Sequence, residues 1–170
     1  LNSNQACTIR VSERVSEQPA RFWGADRQGT TAIFSVGATL YRFTTDPSPS
    51  ATEVAKGLVG VMGLSADASR LYFVSTEALT GAQKNSAGAV AESGKPNLYF
   101  LKIGDDPVFV GTLAAGDAET ANGVLPTADP SPIAVLPDRR MSRVSGDGLS
   151  AVFASTAALT GRDSRDLVSG

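Results

Sequence analysis

The residues in this chain that could do chemistry are few in kind. There is no histidine and one cysteine, Cys7, so the reactive groups reduce to carboxylates, hydroxyls, lysines and arginines. Without an imidazole, a Ser-His-Asp triad cannot be assembled within the chain, and no serine stands in a Gly-x-Ser-x-Gly elbow. Zinc sites built on His and Cys are excluded for the same reason. Two acidic sets, Asp105-Asp106 and Asp117 with Glu119, carry the oxygen ligands that calcium takes. Calcium needs about six to eight oxygens at ordered spacing, as in an Asp-x-Asp-x-Asp-Gly loop. No such run occurs, so the two sets read as a turn and a solvated loop. Residues 89–96 end in Gly94-Lys95-Pro96 and look at first like a phosphate loop. That motif asks for Gly where Ala89 stands, for Ser or Thr where Pro96 stands, and for a helix next. A strand pattern follows instead, so the stretch reads as a surface loop closed by proline. Arg139, Arg140 and Arg143 form a small basic cluster at the start of a strand, read as solvated charge, with contact to an anion as the sharper alternative. Cys7 has no internal disulfide partner, and Asn4-Gln5-Ala6 lacks the apolar run of a lipid-anchor site. No catalytic, cofactor-binding or metal-binding residue is assigned. The chain is expected not to be an enzyme and to carry no cofactor.

The elements that position these groups come from an internal repeat. Ser65, Asp67, Phe73, Ser75, Thr76, Ala78, Leu79, Thr80 and Gly81 recur 80 positions later as Ser145, Asp147, Phe153, Ser155, Thr156, Ala158, Leu159, Thr160 and Gly161. A weaker copy occupies residues 24–35 and keeps an aspartate, Asp26, and the Phe34-Ser35 ending. Each copy reads as strand, tight turn, strand. In residues 70–75, Leu71, Phe73 and Ser75 share one face, and Tyr72 and Val74 share the other. Asp67 and Asp147 are most simply turn formers. Asp147-Gly148 between apolar runs is a strong hairpin signal, because Gly accepts positive φ without a Cβ clash.

The middle copy continues with strands at 97–103 and 108–113, separated by a turn at Gly104-Asp105-Asp106-Pro107. Four antiparallel strands in succession, then another set, predict an all-β fold of β-propeller blades. The spacing from Phe34 to Phe73 is 39 and from Phe73 to Phe153 is 80, against a blade period of about 40–45. Insertions at 77–96 and 115–138 explain the excess. The expected organisation is a segment 1–18, either a strand of a preceding blade or a tail; blade 1 at 19–58; blade 2 at 59–138; and a partial blade 3 at 139–170. By strand parity both insertions leave from the same end of the meander, which marks that face for binding. Thr8–Glu13 alternates like a strand. Residues 51–62 are ambiguous: Ser50 and Glu53 suit a helix cap, yet Gly57 and Gly60 weaken a helix by about 1 kcal/mol each, and strands broken at Gly57 are preferred. Residues 76–81 and 156–161 each suit one capped helical turn, with Leu79 and Leu159 plugging the seams between blades. Residues 83–95 are expected to be mobile, and 118–137 to be an irregular crossing.

Composition bounds the partners. The chain has 170 residues, 42% hydrophobic and 19% charged, enough for one core. Net charge is −2 and the pI is near 5.1, with no basic stripe for a phosphate backbone, so nucleic acid is not expected. No apolar run approaches the ~18 residues of a membrane span. The first residue is Leu rather than Met, which makes the lack of a targeting segment uninformative.

The motif Ser-x-Asp-x-x-x-x-x-Phe-x-Ser-Thr, here at 65–76 and 145–156 and followed by Ala-Leu-Thr and later Leu98-Tyr99, resembles the TolB-like, WD-repeat-like propeller repeats of bacterial secreted and cell-envelope proteins. The usual Ser-Pro-Asp-Gly is altered, with Ala66 or Gly146 replacing Pro and Ala68 replacing Gly. The resemblance spans residues 21–170 and rests on structural positions. It implies a non-catalytic propeller segment, completed by further blades or by self-association. Such a segment would be a binding or assembly platform for protein, peptide or glycan, located outside the cell or in the cell envelope. Two alternatives stay open. One is the propeller domain of a prolyl-oligopeptidase-like serine peptidase whose catalytic domain lies outside this chain. The other is a purely structural envelope repeat.

Overall fold

The computed structural model describes residues 10–118 and 142–159. The described chain is all-β. The first sheet runs in the order β1 (Ala20–Ala25), β2 (Thr31–Val36), β3 (Thr39–Thr44) and β4 (Ser50–Ala55). The second runs in the order β5 (Leu58–Leu64), β6 (Arg70–Ser75), β7 (Asn97–Lys102) and β8 (Val108–Thr112). A small third sheet pairs β9 (Ser142–Val144) with β10 (Ala151–Phe153), and all pairings are antiparallel. The ambiguous stretch is therefore two strands. Gly57 breaks them at φ +63°, a conformation that only glycine adopts without strain.

The three sheets stack face to face, and strand alternation explains how. On β6, Leu71 and Phe73 turn toward the first sheet and join Ile33, Leu40, Tyr99, Leu101 and Phe109 in one seam. Tyr72 and Val74 turn the other way and meet Met62, Leu98, Val144 and Phe153 in the next seam. With both faces covered, β6 is buried along nearly its whole length. Leu71 and Phe73 are fully buried, and each contributes about 1.5–3 kcal/mol of transfer free energy.

Successive sheets make close contacts at their first strands. Gly24 on β1 faces the Leu64 side chain on β5 so tightly that a Cβ would collide with it. Gly63 on β5 stands in the same relation to Val144 on β9, where a Cβ would lie 2.5 Å from Cγ2. Gly24 and Gly63 are 39 positions apart, and Leu64 and Val144 are 80 apart, so one contact is made twice at the repeat offsets. Bonds between turns reinforce the second seam: Ala66 N–H donates to Gly146 C=O (2.8 Å), and Tyr72 O–H to Leu149 C=O (3.3 Å).

Three local expectations are corrected. Residues 10–16 are not strand but a turn, in which Val15 and Ser16 N–H both donate to Ser12 C=O. One helical turn separates Val11 and Val15, so both pack on the outer face of the first sheet beside Phe34 and Phe43. Residues 76–81 form turns, not a helical turn, because the Tyr99 hydroxyl takes the groups a helix would use. It donates to Glu77 C=O (2.7 Å) and accepts from Leu79 N–H (3.0 Å). Leu79 does pack on the first seam and Leu159 on the second, each partly buried. Residues 83–95 are held by side-chain amides. Asn85 accepts from Ala87 and Ala89 N–H and donates to Val110 C=O on β8 (2.9 Å). Asn97 donates to Glu92 and Lys95 C=O. Glu119, the crossing beyond 118, Arg139 and Arg140 lie outside the described residues, as does Cys7.

Gly63→Ala should destabilise the chain by about 1–3 kcal/mol in a urea melt, because the added methyl overpacks the Val144 contact. Gly116→Ala, where a Cβ meets open space, should stay within about 0.5 kcal/mol of wild type.

Candidate functional site

The repeated aspartates are consumed by their turns. Ser65 Oγ donates to Asp67 Oδ1 (2.5 Å) and accepts from Arg70 N–H (2.9 Å), while Asp67 Oδ1 also accepts from Ser69 N–H (3.1 Å). Ser145, Asp147, Leu149 and Ser150 repeat this arrangement. In the first sheet the two matching amides, Thr30 and Thr31, both donate to Asp26 Oδ1. Asp26 N–H bonds to Thr31 C=O as Ser65 N–H does to Arg70 C=O. Asp26 therefore stands at the serine position, two residues before the aspartate with which the sequence pattern aligned it. One carboxylate there does the work of the serine and aspartate together. The Ser65 and Ser69 bonds hold the Asp67 carboxyl down at about 2.

In the second and third sheets a Ser-Thr pair after the second strand grips a segment that precedes the sheet. Ser75 Oγ donates to Lys56 C=O (2.7 Å) and Thr76 N–H to Gly57 C=O (2.8 Å). Ser155 Oγ and Thr156 N–H instead donate to the carboxylate of Asp117, which sits in the 3-10 turn Ala115–Ala118. Asp117 is thus a buried clamp rather than part of a solvated loop. Burial pushes its pKa up, but the bonds from Ser155 and Thr156 outweigh burial and leave it lowered. Gly94 N–H donates to Thr76 C=O, so the Gly-Lys loop turns its backbone inward rather than toward a phosphate. Asp105 pairs with Lys102 (3.2 Å) in the β7–β8 turn. Arg143 is exposed on β9.

The insertion at 77–96 leaves from the end expected by parity. Ser75 pairs with Asn97 there, and Leu113 N–H donates to Pro96 C=O. It does not stand out from that end. It lies along β8, bonded through Asn85 to Val110, and Leu79, Thr80 and Gln83 line a cleft of about 390 Å³ with Asp106 and Pro107. A second cleft, of about 380 Å³, opens on the other side of the same Asp106-Pro107 corner. Arg42, Thr52 and Val54 form its wall on the first sheet, and Leu101 and Ile103 form its wall on the second.

Two buried side-chain polar atoms among the described residues have no hydrogen-bond partner, Arg42 Nε and Thr80 Oγ1. The residues that carry them line the clefts, Arg42 the one between the sheets and Thr80 the other, while the two atoms themselves lie just beneath the surface. Thr80 is one of the repeated residues, recurring as Thr160, whereas Arg42 belongs to no motif but leaves a trace in the sequence. It falls two positions after Leu40 on β3, at a register position that faces the seam. Comparison of the chain with protein-family models, with curated proteins and with solved structures found no match.

The Asp67 carboxyl should titrate near 2 by carboxyl carbon NMR. Its folded pKa lies below the ordinary value of 3.8, so its stabilisation is complete above that value and is lost as pH falls toward about 2. Asp67→Asn should flatten the acid limb of the stability profile over that window, and an unchanged slope would contradict the turn geometry.

Proposed function

We propose that the three sheets are successive blades of an incomplete β-propeller, and that the chain is a binding and assembly platform rather than an enzyme. The sheets touch at their first strands, where Gly24 and Gly63 leave no room for a Cβ, and open into a cleft at their outer strands. That fan is the geometry expected of blades around an axis. The resemblance to propeller repeats of secreted and cell-envelope proteins points the same way and makes that compartment the expected one.

One observation carries the assembly reading. The second-strand position that faces the next sheet is Ile33, Tyr72 and Val152 in turn. It is 0% and 8% exposed where a sheet follows, and 74% exposed at the end of the described array. The first-strand position that faces the preceding sheet is Phe22 and then Val61. It is 64% exposed at the beginning and 2% exposed inside. Val11 and Val15 cover part of that first face without burying Phe22. The two end faces offer the same positions that the inner seams bury, so the occupant that fits each is another sheet of this repeat. For the isolated chain that means a second copy, docked head to tail.

Light scattering tests this. Mass should rise with concentration, and Phe22→Glu or Val152→Lys alone should each hold the chain monomeric. Mixing the two variants should give a one-to-one dimer that grows no further, because the pair retains one native head and one native tail. A wild-type chain that stays monomeric, or variants that associate like wild type, would remove the basis for the reading.

A further inference from the structure

The two adjoining clefts point to a ligand that no motif marks. We propose that the groove around Asp106-Pro107, between the first and second sheets, binds an extended peptide segment carrying a basic residue beside an apolar one. Its basic side chain would face Asp106, a backbone carbonyl would accept from the Arg42 guanidinium where it lines the cleft, and its far end would lie against Thr80.

The argument starts from a departure from the repeat. Leu40-Tyr41 matches Leu98-Tyr99, so Arg42 corresponds to Phe100. Phe100 faces the second seam and packs against Tyr72 with ring centroids 5.1 Å apart. In the first seam that position holds an arginine whose Nε is buried and unbonded. Folded chains rarely leave such an atom without a partner, and a local rule broken at one copy of a repeat is a sign of function. Thr80 comes from the insertion at 77–96, which the first sheet lacks, since only Gly37 and Ala38 join β2 to β3. The groove thus combines Arg42 with an insertion that the first sheet does not carry. Its two unbonded atoms are also the only ones of their kind among the described residues.

The walls choose the ligand class. Val54, Leu79, Leu101, Ile103 and Pro107 give apolar pockets, and no lining residue is aromatic, so a sugar ring has nothing to stack on. Arg42 shares its cleft with Glu53, Asp105 and Asp106. Lys56 and Lys102 bridge the first two carboxylates, while Asp106 is exposed and makes no ion pair among the described residues. An anion would meet those carboxylates. A peptide supplies a neutral acceptor for Arg42 and a cation for Asp106 together, and at about 3.3 Å per residue a few residues reach from one cleft to the other.

The test is an NMR titration of the whole chain with acetyl-Ala-Leu-Lys-Val-amide, the same peptide with Glu for Lys, and cellotetraose. The lysine peptide should shift the Arg42 Nε–H and the Thr80, Gln83 and Asp106 amides, and leave Asp147 unmoved. Arg42→Met should weaken binding about tenfold and Asp106→Asn severalfold, the range of a lost charge-assisted bond. Arg42→Met should also raise the melting temperature, because methionine suits the seam and leaves no unbonded donor, whereas loss of an arginine needed for the fold would lower it. Asp106 is exposed, so its variant reports binding without disturbing the seam. The proposal fails if those groups do not shift at millimolar peptide. It also fails if the glutamate peptide or the oligosaccharide binds as well, or if Arg42→Met lowers the melting temperature. The proposal does not need the sheets to be propeller blades. Loss of head-to-tail association would leave this titration unchanged.

Discussion

The structure depends on how closely β1, β5 and β9 approach one another. Gly24 against Leu64 and Gly63 against Val144 bring successive sheets so close that an added methyl would have to displace the facing side chain. That approach lets Leu71 and Phe73 reach one neighbour while Tyr72 and Val74 reach the other. It therefore turns one strand into the core of two seams. Interiors pack at crystal-like density, so the seam has little means of absorbing an extra atom.

Sheets pinned together at one edge must diverge toward the other, and the outer part of the first seam needs filling. The insertion at 77–96 does part of this. Ala78, Leu79 and Ala91 pack on the seam, the Tyr99 hydroxyl ties down the chain on either side of Ala78, and Asn85 reaches across to β8. Side-chain amides and a tyrosine hydroxyl stand in for regular backbone ladders, so backbone groups that would otherwise be orphaned are satisfied. What the insertion leaves open is the pair of clefts at Asp106-Pro107. The cleft at Arg42 is thus a consequence of how the first two sheets diverge.

The turns show how one structural task admits different residues. Two amides at the start of each second strand need acceptors. Asp26 supplies both bonds in the first sheet, and a serine with an aspartate two residues on shares them in the others. Reading aspartate as the fixed mark of the repeat misaligned the first copy. The exchange of Ser75's backbone partner for the Asp117 carboxylate at Ser155 has the same character. In both cases hydrogen-bonding capacity persists while the residue that supplies it changes, so a motif written in letters catches only some of the copies.

Much of the architecture was legible in the chain alone. Period-two alternation, Gly57 between apolar runs and the 39- and 80-residue offsets determined the strands, their faces and their order, because these follow from local backbone geometry and repeat along the sequence. The helical turn expected at residues 76–81 and the alternating pattern at 10–13 gave way to turns because distant groups, the Tyr99 hydroxyl and the face holding Phe34, outweighed local propensity. The candidate site was least legible. Arg42, Thr80 and Asp106 lie on three different elements, and no motif joins them. Only the stacking of the sheets and the folding back of the insertion brought them to one corner and left two of their polar atoms without partners. Spacing along a chain encodes neighbours within a strand or turn. Which groups share a cleft is decided by packing between elements, where burial and unmet hydrogen bonds are felt.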